Sequence, residues 1–399
     1  MKSLLIINAG SSSLKFAVFA LPLTQDAPSI YRGQIDGIGA NTQFVAKDID
    51  GKTLLDTFIK SPEGTPLEAQ QQLALDALLN WIESQNVQLA AVGHRVLHGG
   101  KEFCAPVQIT PEVLAKLETF IPLGPLHQPH NLRPIRALAK KYPSLPQVAC
   151  FDTAFHRTQP WEAQTYPIPR NFTDEGVIRW GFHGSSYDYI ARQLEGVIGK
   201  EKAHGAVVIA HMGNGASIAA TRGLKCVATT MGFTAAEGMM MGTRCGTIDP
   251  SIILYLVEKH GYNAAQISSF IYKESGLLGV SGGLSQDMRT LEASDAPEAK
   301  EALKLFYYRA AREIASLTAA AGGLDALVFT GGIGENSSAA RKAVTDYFSW
   351  MGLKLDPELN KVRGKAHCIH AADSKIAVAV IPTNEEWMIA YHTTSLLSL

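Results

Sequence analysis

The chain has 399 residues, 46% of them hydrophobic and 18% charged, with a formal net charge of −1. That is enough apolar content for two substantial cores, and near-neutral charge without basic runs argues against nucleic acid or a membrane as the main partner while leaving room for small anions held by local cations. Five cysteines, scattered and without C-x-x-C spacing, predict reduced thiols in a cytoplasmic protein and no zinc site, and the apolar run before Asn8 is too short for a signal peptide.

Four apolar residues at 4–7 lead into Asn8, Gly10 and three serines, and apolar character resumes at Leu14, Phe16 and Val18, a strand, tight turn and strand. The turn is a phosphate-sized hollow. Gly10 lets the backbone approach a ligand, Ser11 and Ser13 add hydroxyls to the main-chain N–H groups, Lys15 brings a cation, and Asn8 offers a neutral oxygen suited to Mg²⁺ or its waters; taken alone, the stretch equally suits an ordinary Gly-Ser hairpin. It matches neither the G-x-x-x-x-G-K-[ST] loop nor the dinucleotide G-x-G-x-x-G.

Short β-like pieces follow at 31–35, 43–46 and 53–58, extending the first sheet. Thr65, Pro66 and Glu68 combine an N-cap, a proline at the first helical position and a capping-box glutamate, which predicts a helix to about Ile82. A buried strand at 89–93 delivers Arg95 at its C-terminal end, where α/β sheets collect their ligands. The proline-rich stretch 121–130 predicts a rigid loop. A second buried strand, 147–151, ends in Asp152, which either caps a turn or faces a catalytic cleft beside a cation. His183 lies between Gly181 and Gly184 in a loop-like setting.

Residues 207–219 then repeat the opening design, with His211, Met212, Gly213, Asn214 and Gly215 as the turn. Self-similarity at about half the chain length predicts duplication of a whole domain, with two facing phosphate loops and a ligand between them. Met239–Met241 reads as irregular packing, and Arg244, between Gly242 and Gly246, as a candidate for charge stabilisation. A glycine-rich segment runs from 275 to 283, a long helix is predicted from Pro297 to Ala321, stopped by Gly322 and Gly323, and a buried strand at 326–330 runs into a bare loop, Gly331 to Asn336, that suits a nucleotide.

Assembled, these pieces resemble the short-chain acyl kinase family of acetate kinases, within the actin, sugar-kinase and Hsp70-like ATPase superfamily. The resemblance spans nearly the whole chain and rests on N-A-G-S-S-S-L-K-F at 8–16, H-R-V-L-H-G-G at 94–100, F-D-T-A-F-H at 151–156, G-F-H-G-S-S at 181–186, H-M-G-N-G-A-S at 211–217, M-G-T-R at 241–244, G-G-I-G-E-N at 331–336 and P-T-N-E-E at 382–386. It implies an α/β fold of duplicated ribonuclease H-like (actin-like ATPase) domains, each a mixed sheet flanked by helices, with the active site in the interdomain cleft. The implied boundaries are 1–150, with a C-terminal helix at 383–399 packing back, and 151–382. The implied reaction converts ATP and acetate to ADP and acetyl phosphate with Mg²⁺, or Mn²⁺ in its place, in a cytoplasmic homodimer.

Carried over by position, Arg95 and Arg244 correspond to the arginines on the carboxylate and the transferring phosphoryl, Asp152 to the catalytic aspartate and His183 to the transition-state histidine. Asn8 and Glu385 correspond to the metal site. Lys15, Ser11, Ser13 and His211 to Gly215 match phosphate contacts; Asp287, Met288, Arg289 and Gly331, Gly332, Ile333, Gly334, Glu335 match the adenosine side. Leu97, Leu126, Phe182 and Ala235 should wall the acyl group. Two arginines, a donor histidine, backbone N–H groups and Mg²⁺ suit a transition state with charge spread over its equatorial oxygens. Because acetate is already ionised at pH 7, Asp152 is expected to orient an arginine or hold a metal-bound water rather than take a proton.

The chain departs from the family's wording at Ala235, where proline is usual; at Tyr187, which closes G-F-H-G-S-S-Y where G-F-H-G-T-S-H is usual; and in His127-Gln128-Pro129, where His-Asn-Pro is common. Two other readings stand beside the main one: a propionate or butyrate kinase sharing every charged residue, and a non-catalytic, ATP-switched actin-like module.

Overall fold

The structure is a computed structural model that describes residues 2–399. The chain forms two compact units, Met1–Ala154 with Asn384–Leu399, and Phe155–Thr383.

The first unit is built on an eight-stranded mixed sheet: β1 (Lys2–Ala9), β2 (Ser13–Ala20), β3 (Tyr31–Asp36), β4 (Gln43–Asp48), β5 (Thr53–Phe58), β6 (Gln88–Val96), β7 (Val107–Gln108) and β8 (Gln147–Phe151), in the order β5-β4-β3-β2-β1-β6-β8-β7. β1, β6 and β8 run parallel, and β1 to β5 form an antiparallel meander. The inward side chains of β1 and β2, Leu5, Ile7, Leu14, Phe16 and Val18, pack with Leu75, Leu78, Leu79 and Ile82 of the helix Leu67–Ser84. That spacing of apolar residues is the stripe a sheet-packed helix needs. The C-terminal helix Glu385–Leu397 lies so close to β6 that a Cβ on Gly93 would sit 2.5 Å from the Thr393 hydroxyl and 2.8 Å from Ile389, so glycine is required there by close approach.

The second unit carries a six-stranded mixed sheet: β9 (Ala206–Met212), β10 (Ala216–Arg222), β11 (Lys225–Thr229), β12 (Ala326–Thr330), β13 (His367–Cys368) and β14 (Ala377–Val380), in the order β11-β10-β9-β12-β14-β13. Its first three strands are antiparallel, and β9, β12 and β14 are parallel. The series β3-β2-β1-β6-β8 and β11-β10-β9-β12-β14 are therefore one topology used twice, the duplication that the two Gly/Ser turns foretold. Helices Gly184–Ile198 and Pro297–Ala321 cover this sheet, with Tyr187, Ile190 and Leu194 of the first in the core with Val207, Ile209 and Val328.

Several local expectations are corrected. The Thr65 capping box does not form, because the Thr65 hydroxyl donates back to the Pro62 carbonyl (2.6 Å) and the helix starts at Leu67 with Pro66 as its N-cap. The strand carrying Arg95 runs on to Val96. The stretch 121–130 is only partly loop: the helix Gln128–Lys141 begins inside it with Pro129 in its first turn, where no N–H is needed. Residues Gly276–Val280 and Gly331–Asn336 are short helices rather than loops.

Candidate active site

In the first unit the parallel register aligns Ile7 with His94 and His94 with Ala149. The next residues, Asn8, Arg95 and Cys150, therefore emerge side by side at the C-terminal ends of β1, β6 and β8, and Asp152 follows at once. Arg95 donates twice to Asp152, from Nε to Oδ1 (2.9 Å) and from Nη2 to Oδ2 (2.6 Å), and its Nη1 donates to Asn8 Oδ1 (3.3 Å). Asp152 is 1% exposed. Burial disfavours the guanidinium, but the Asp152 carboxylate outweighs it and holds the Arg95 pKa above its ordinary value. Glu385, at the start of the C-terminal helix, has its carboxyl pushed up to about 7: burial is the largest cause, Arg95 and Lys15 oppose it, and Asp152 and Glu386 add to it. Lys15 lies on β2 directly across the ladder from Asn8.

The backbone behind Arg95 is clamped by the helix Gln128–Lys141. Asn131 accepts from the Leu97 N–H (2.9 Å) and donates to the Ala9 carbonyl (2.6 Å), while Gln128 accepts from the His98 N–H and donates to its carbonyl (both 3.1 Å). Both side chains are buried.

In the second unit His183 precedes the helix Gly184–Ile198 in the left-handed region (φ 60°), a conformation that costs a non-glycine residue roughly 1 kcal/mol or more and persists only where the surroundings impose it. Here His156 imposes it: its ring packs on the Gly181 backbone, where a Cβ would meet Cγ at 2.5 Å, and its Nε2 donates to the Phe182 carbonyl (2.8 Å). Burial pushes the His156 pKa down to about 3, so the ring is neutral. The His183 and His211 rings stack with centroids 4.3 Å apart. A Cβ on Gly215 would lie 3.3 Å from His183 Nε2 and 3.7 Å from Arg244 Nη1, so these two donors and the turn backbone converge on one spot. Arg244 is aimed by its bond to the Ala235 carbonyl (3.0 Å).

Beside that spot a cavity of about 700 Å³ opens, lined among others by Gly213, Asn214, Asp287, Gly332, Ile333 and Arg363. Its floor is rigid. Arg341, fully buried and with no carboxylate within ion-pair distance among the described residues, bonds the Gly334 and Glu335 carbonyls (2.9 and 3.1 Å), the Asn360 side chain and carbonyl (2.8 and 2.5 Å) and the Val362 carbonyl (3.2 Å).

The Acetokinase family model matches residues 3–391. The chain belongs to that acetokinase family. It is 52% identical to an acetate kinase of Rhodopseudomonas palustris over 98% of this chain and 97% of that one, and 44% identical to an acetate kinase of Rhizobium meliloti over 100% and 99%. Among solved structures it is similar to the acetate kinase of Porphyromonas gingivalis (37% identity, TM-score 0.89, 100% of both chains) and to a propionate kinase of Francisella tularensis (35%, 0.89, 98% and 99%).

Set against the positions carried over from the acetokinase family, the first unit gathers Asn8, Lys15, Arg95, Asp152 and Glu385, and the second gathers His183, His211, Gly215 and Arg244. Gly213, Asn214, Asp287, Met288, Arg289, Gly332 and Ile333 line the cavity. Met212 does not: it is fully buried core, and its carbonyl lies 2.8 Å from where a Gly331 Cβ would be. Glu335 turns inward, accepting from the Gly331 N–H (2.9 Å) and the Thr383 N–H (3.1 Å), which makes it a brace for the turn. Ser11 is exposed at the tip of the first turn and receives the Gln71 amide on its carbonyl. Leu97 and Phe182 are buried, Ala235 is half-buried, and Leu126 is exposed. Sequence reasoning missed Gln286, Glu292, Ser337 and Arg363 in the cavity wall and Gln128 and Asn131 behind Arg95. Gln286 adjoins Asp287 and was within reach; Arg363 sits in an irregular stretch with no pattern to mark it.

Proposed function

We propose that the chain is an acetate kinase, transferring the γ-phosphoryl group of ATP reversibly to a carboxylate oxygen of acetate to give acetyl phosphate and ADP. One observation carries the choice of acceptor: both carboxylate oxygens of Asp152 are engaged by Arg95. An alcohol acceptor needs a base to take its proton, and a carboxylate so committed is a poor one; acetate is ionised at neutral pH and needs none. An acetate oxygen forms its bond to the γ-phosphorus, the bond from phosphorus to the bridging oxygen breaks with its electron pair leaving on ADP, and no proton changes hands.

In this reading Arg95, held by Asp152, binds the acetate carboxylate, while Arg244 and His183 Nε2 offset charge on the equatorial oxygens. The Gly213–Gly215 backbone faces the phosphates, and Asp287, Met288, Gly332 and Ile333 face the adenosine. The first unit suits Mg²⁺, or Mn²⁺ in its place, by the chemistry of its donors: the Asn8 amide oxygen and the Glu385 carboxyl, which lies within electrostatic reach of Asp152 and Glu386, are hard oxygen groups of the kind such an ion takes together with waters and phosphate oxygens. Asn8 and Glu385 would hold it, and its chemistry there is to neutralise the phosphate oxygens.

Cytoplasmic residence draws on the cysteine pattern, and no helix among the described residues is long and apolar enough to cross a membrane. The homodimer draws on the helix Ser251–His260, none of whose residues is buried, with Ile252, Leu254, Tyr255 and Val257 all exposed.

Hydroxylamine trapping of acyl phosphate tests the proposal with acetate, propionate and butyrate as acceptors, and glucose-dependent ADP release serves as the alcohol control, since hydroxylamine does not trap a phosphate ester. Acetate should give the highest kcat/KM and propionate a usable second; a preference for butyrate, or transfer to glucose, would overturn it.

A further inference from the structure

Tyr187 stands where the family resemblance led us to expect histidine, and it ends in a closed hydrogen-bond chain. Its hydroxyl lies 2.6 Å from Ser217 Oγ, and Ser217 Oγ lies 2.8 Å from His183 Nδ1. Tyr187 and Ser217 are both 0% exposed, and among the described residues the phenol has no other hydrogen-bond partner and Ser217 Oγ only these two. We propose that Tyr187, acting through Ser217, holds neutral His183 as the tautomer with its proton on Nε2. The inference rests on the role given to His183 above.

The argument is a count of protons. The chain has two hydroxyl hydrogens and one ring nitrogen. If the phenol donates to Ser217 and Ser217 donates to Nδ1, every hydrogen has an acceptor, Nδ1 is bare and the ring proton is on Nε2. In the reverse order, Nδ1–H donates to Ser217 and Ser217 to the phenol oxygen, which strands the phenol hydrogen in a fully buried place. The first order is the satisfied one. Burial also raises the Tyr187 pKa, so the phenol keeps its proton.

The consequence appears at Nε2, which faces Gly215 and Arg244. An N–H there donates to a phosphoryl oxygen, whereas a bare nitrogen would turn its lone pair toward one. Other titratable and charged groups stand near the ring. His183 stacks on His211, whose Nδ1 is bonded to Ser186 Oγ (2.8 Å), and Arg244 already brings positive charge; beyond Tyr187 lie His156 (5.3 Å between ring centres) and Cys226, both kept uncharged by burial.

Histidine ¹⁵N NMR on the full chain at pH 8 reads the tautomer without reference to activity, with His183 assigned by the signals lost in His183→Asn. The wild type should show a bare Nδ1 and a protonated Nε2; Tyr187→Phe, which keeps the ring, and Ser217→Ala, which cuts the chain in the middle, should each give mixed tautomers. Removing one transition-state donor outright costs about 10²–10³ in rate, so essentially only the rings with a protonated Nε2 turn over, and an even mixture of tautomers should lose about twofold in kcat with both KM values little changed. A wild-type His183 with bare Nε2, or a tautomer unmoved in both variants, overturns the inference. A shifted tautomer with unchanged kcat supports the chain and instead overturns the part given to His183 in phosphoryl transfer.

Discussion

Asp152→Asn separates an orienting carboxylate from a proton-accepting one. The Arg95–Asp152 pair is bidentate at 2.9 and 2.6 Å with the carboxylate 1% exposed. Asparagine keeps the shape, but its amide nitrogen meets a guanidinium N–H donor to donor, so one charge-assisted bond, about 1.5–3 kcal/mol, is lost and a buried guanidinium loses its counter-charge. Arg95 then need not point at the acceptor. A misplaced transition-state donor costs about 10²–10³ in kcat, or about 2.7–4 kcal/mol. Two signatures go with the orienting role: the loss should be the same at every pH at which the enzyme is stable, and Asp152→Asn combined with Arg95→Ala should cost little more than Arg95→Ala alone, because the two side chains act as one unit. Initial rates of acetyl phosphate formation from pH 5.5 to 9, at saturating ATP and acetate, measure both. A lost limb of the pH profile with binding intact, or additive losses in the double variant, would refute the orienting account.

Ala235→Pro should lower propionate activity more than acetate activity if Ala235 walls the acyl group as the family resemblance implies, each methylene admitted or excluded being worth about 1–3 kcal/mol; an unmoved propionate-to-acetate ratio in kcat/KM would show that the wall lies elsewhere. His94 and His156 have pKa values lowered by burial to about 4 and about 3 from 6.5. The unfolded chain therefore binds the extra protons, the stability these neutral rings contribute is complete above pH 6.5, and it falls by roughly 1.4 kcal/mol per pH unit for each as pH drops from there toward the folded values. Denaturant melts at pH 5 and 7.5 should show the fall and His94→Asn should remove part of it; an identical slope in the variant would count against the assignment. Leu254→Lys places charge on the apolar face of the helix Ser251–His260 and should shift sedimentation toward monomer, an unchanged sedimentation coefficient placing the interface on another surface.

Strands were the most legible part of the fold. The strands Gln147–Phe151 and Ala326–Thr330 are apolar at four of five positions because both faces of a parallel strand are buried, and each ends within one residue of its apolar run. Helix starts were harder. At Thr65 the capping pattern lost to a competing local acceptor, and at Gln128 two prolines disguised a helix that uses one of them in its first turn. Gly331–Asn336 looked like loop because glycine has low helix propensity, yet its turn is bolted down by Glu335. The charged site residues were legible by type and by their place after strands, but their pairing was not: that Asp152 belongs to Arg95 rather than to Arg244 follows from strand register, which a sequence does not display.

The buried Arg341 bears on how nucleotide affinity is set. Association penalises every loop it must immobilise, at about 0.5–1.5 kcal/mol for each side chain frozen. Five bonds from one guanidinium hold Gly334–Glu335 and Asn360–Val362, the chain next to the lining residues Ile333, Asn336 and Arg363, before any ligand arrives, so this part of the wall should lose less disorder when the cavity fills. Arg341 touches no nucleotide in this account, yet trimming it would surface in a calorimeter as a more unfavourable binding entropy, with the contact enthalpy of the remaining wall largely kept.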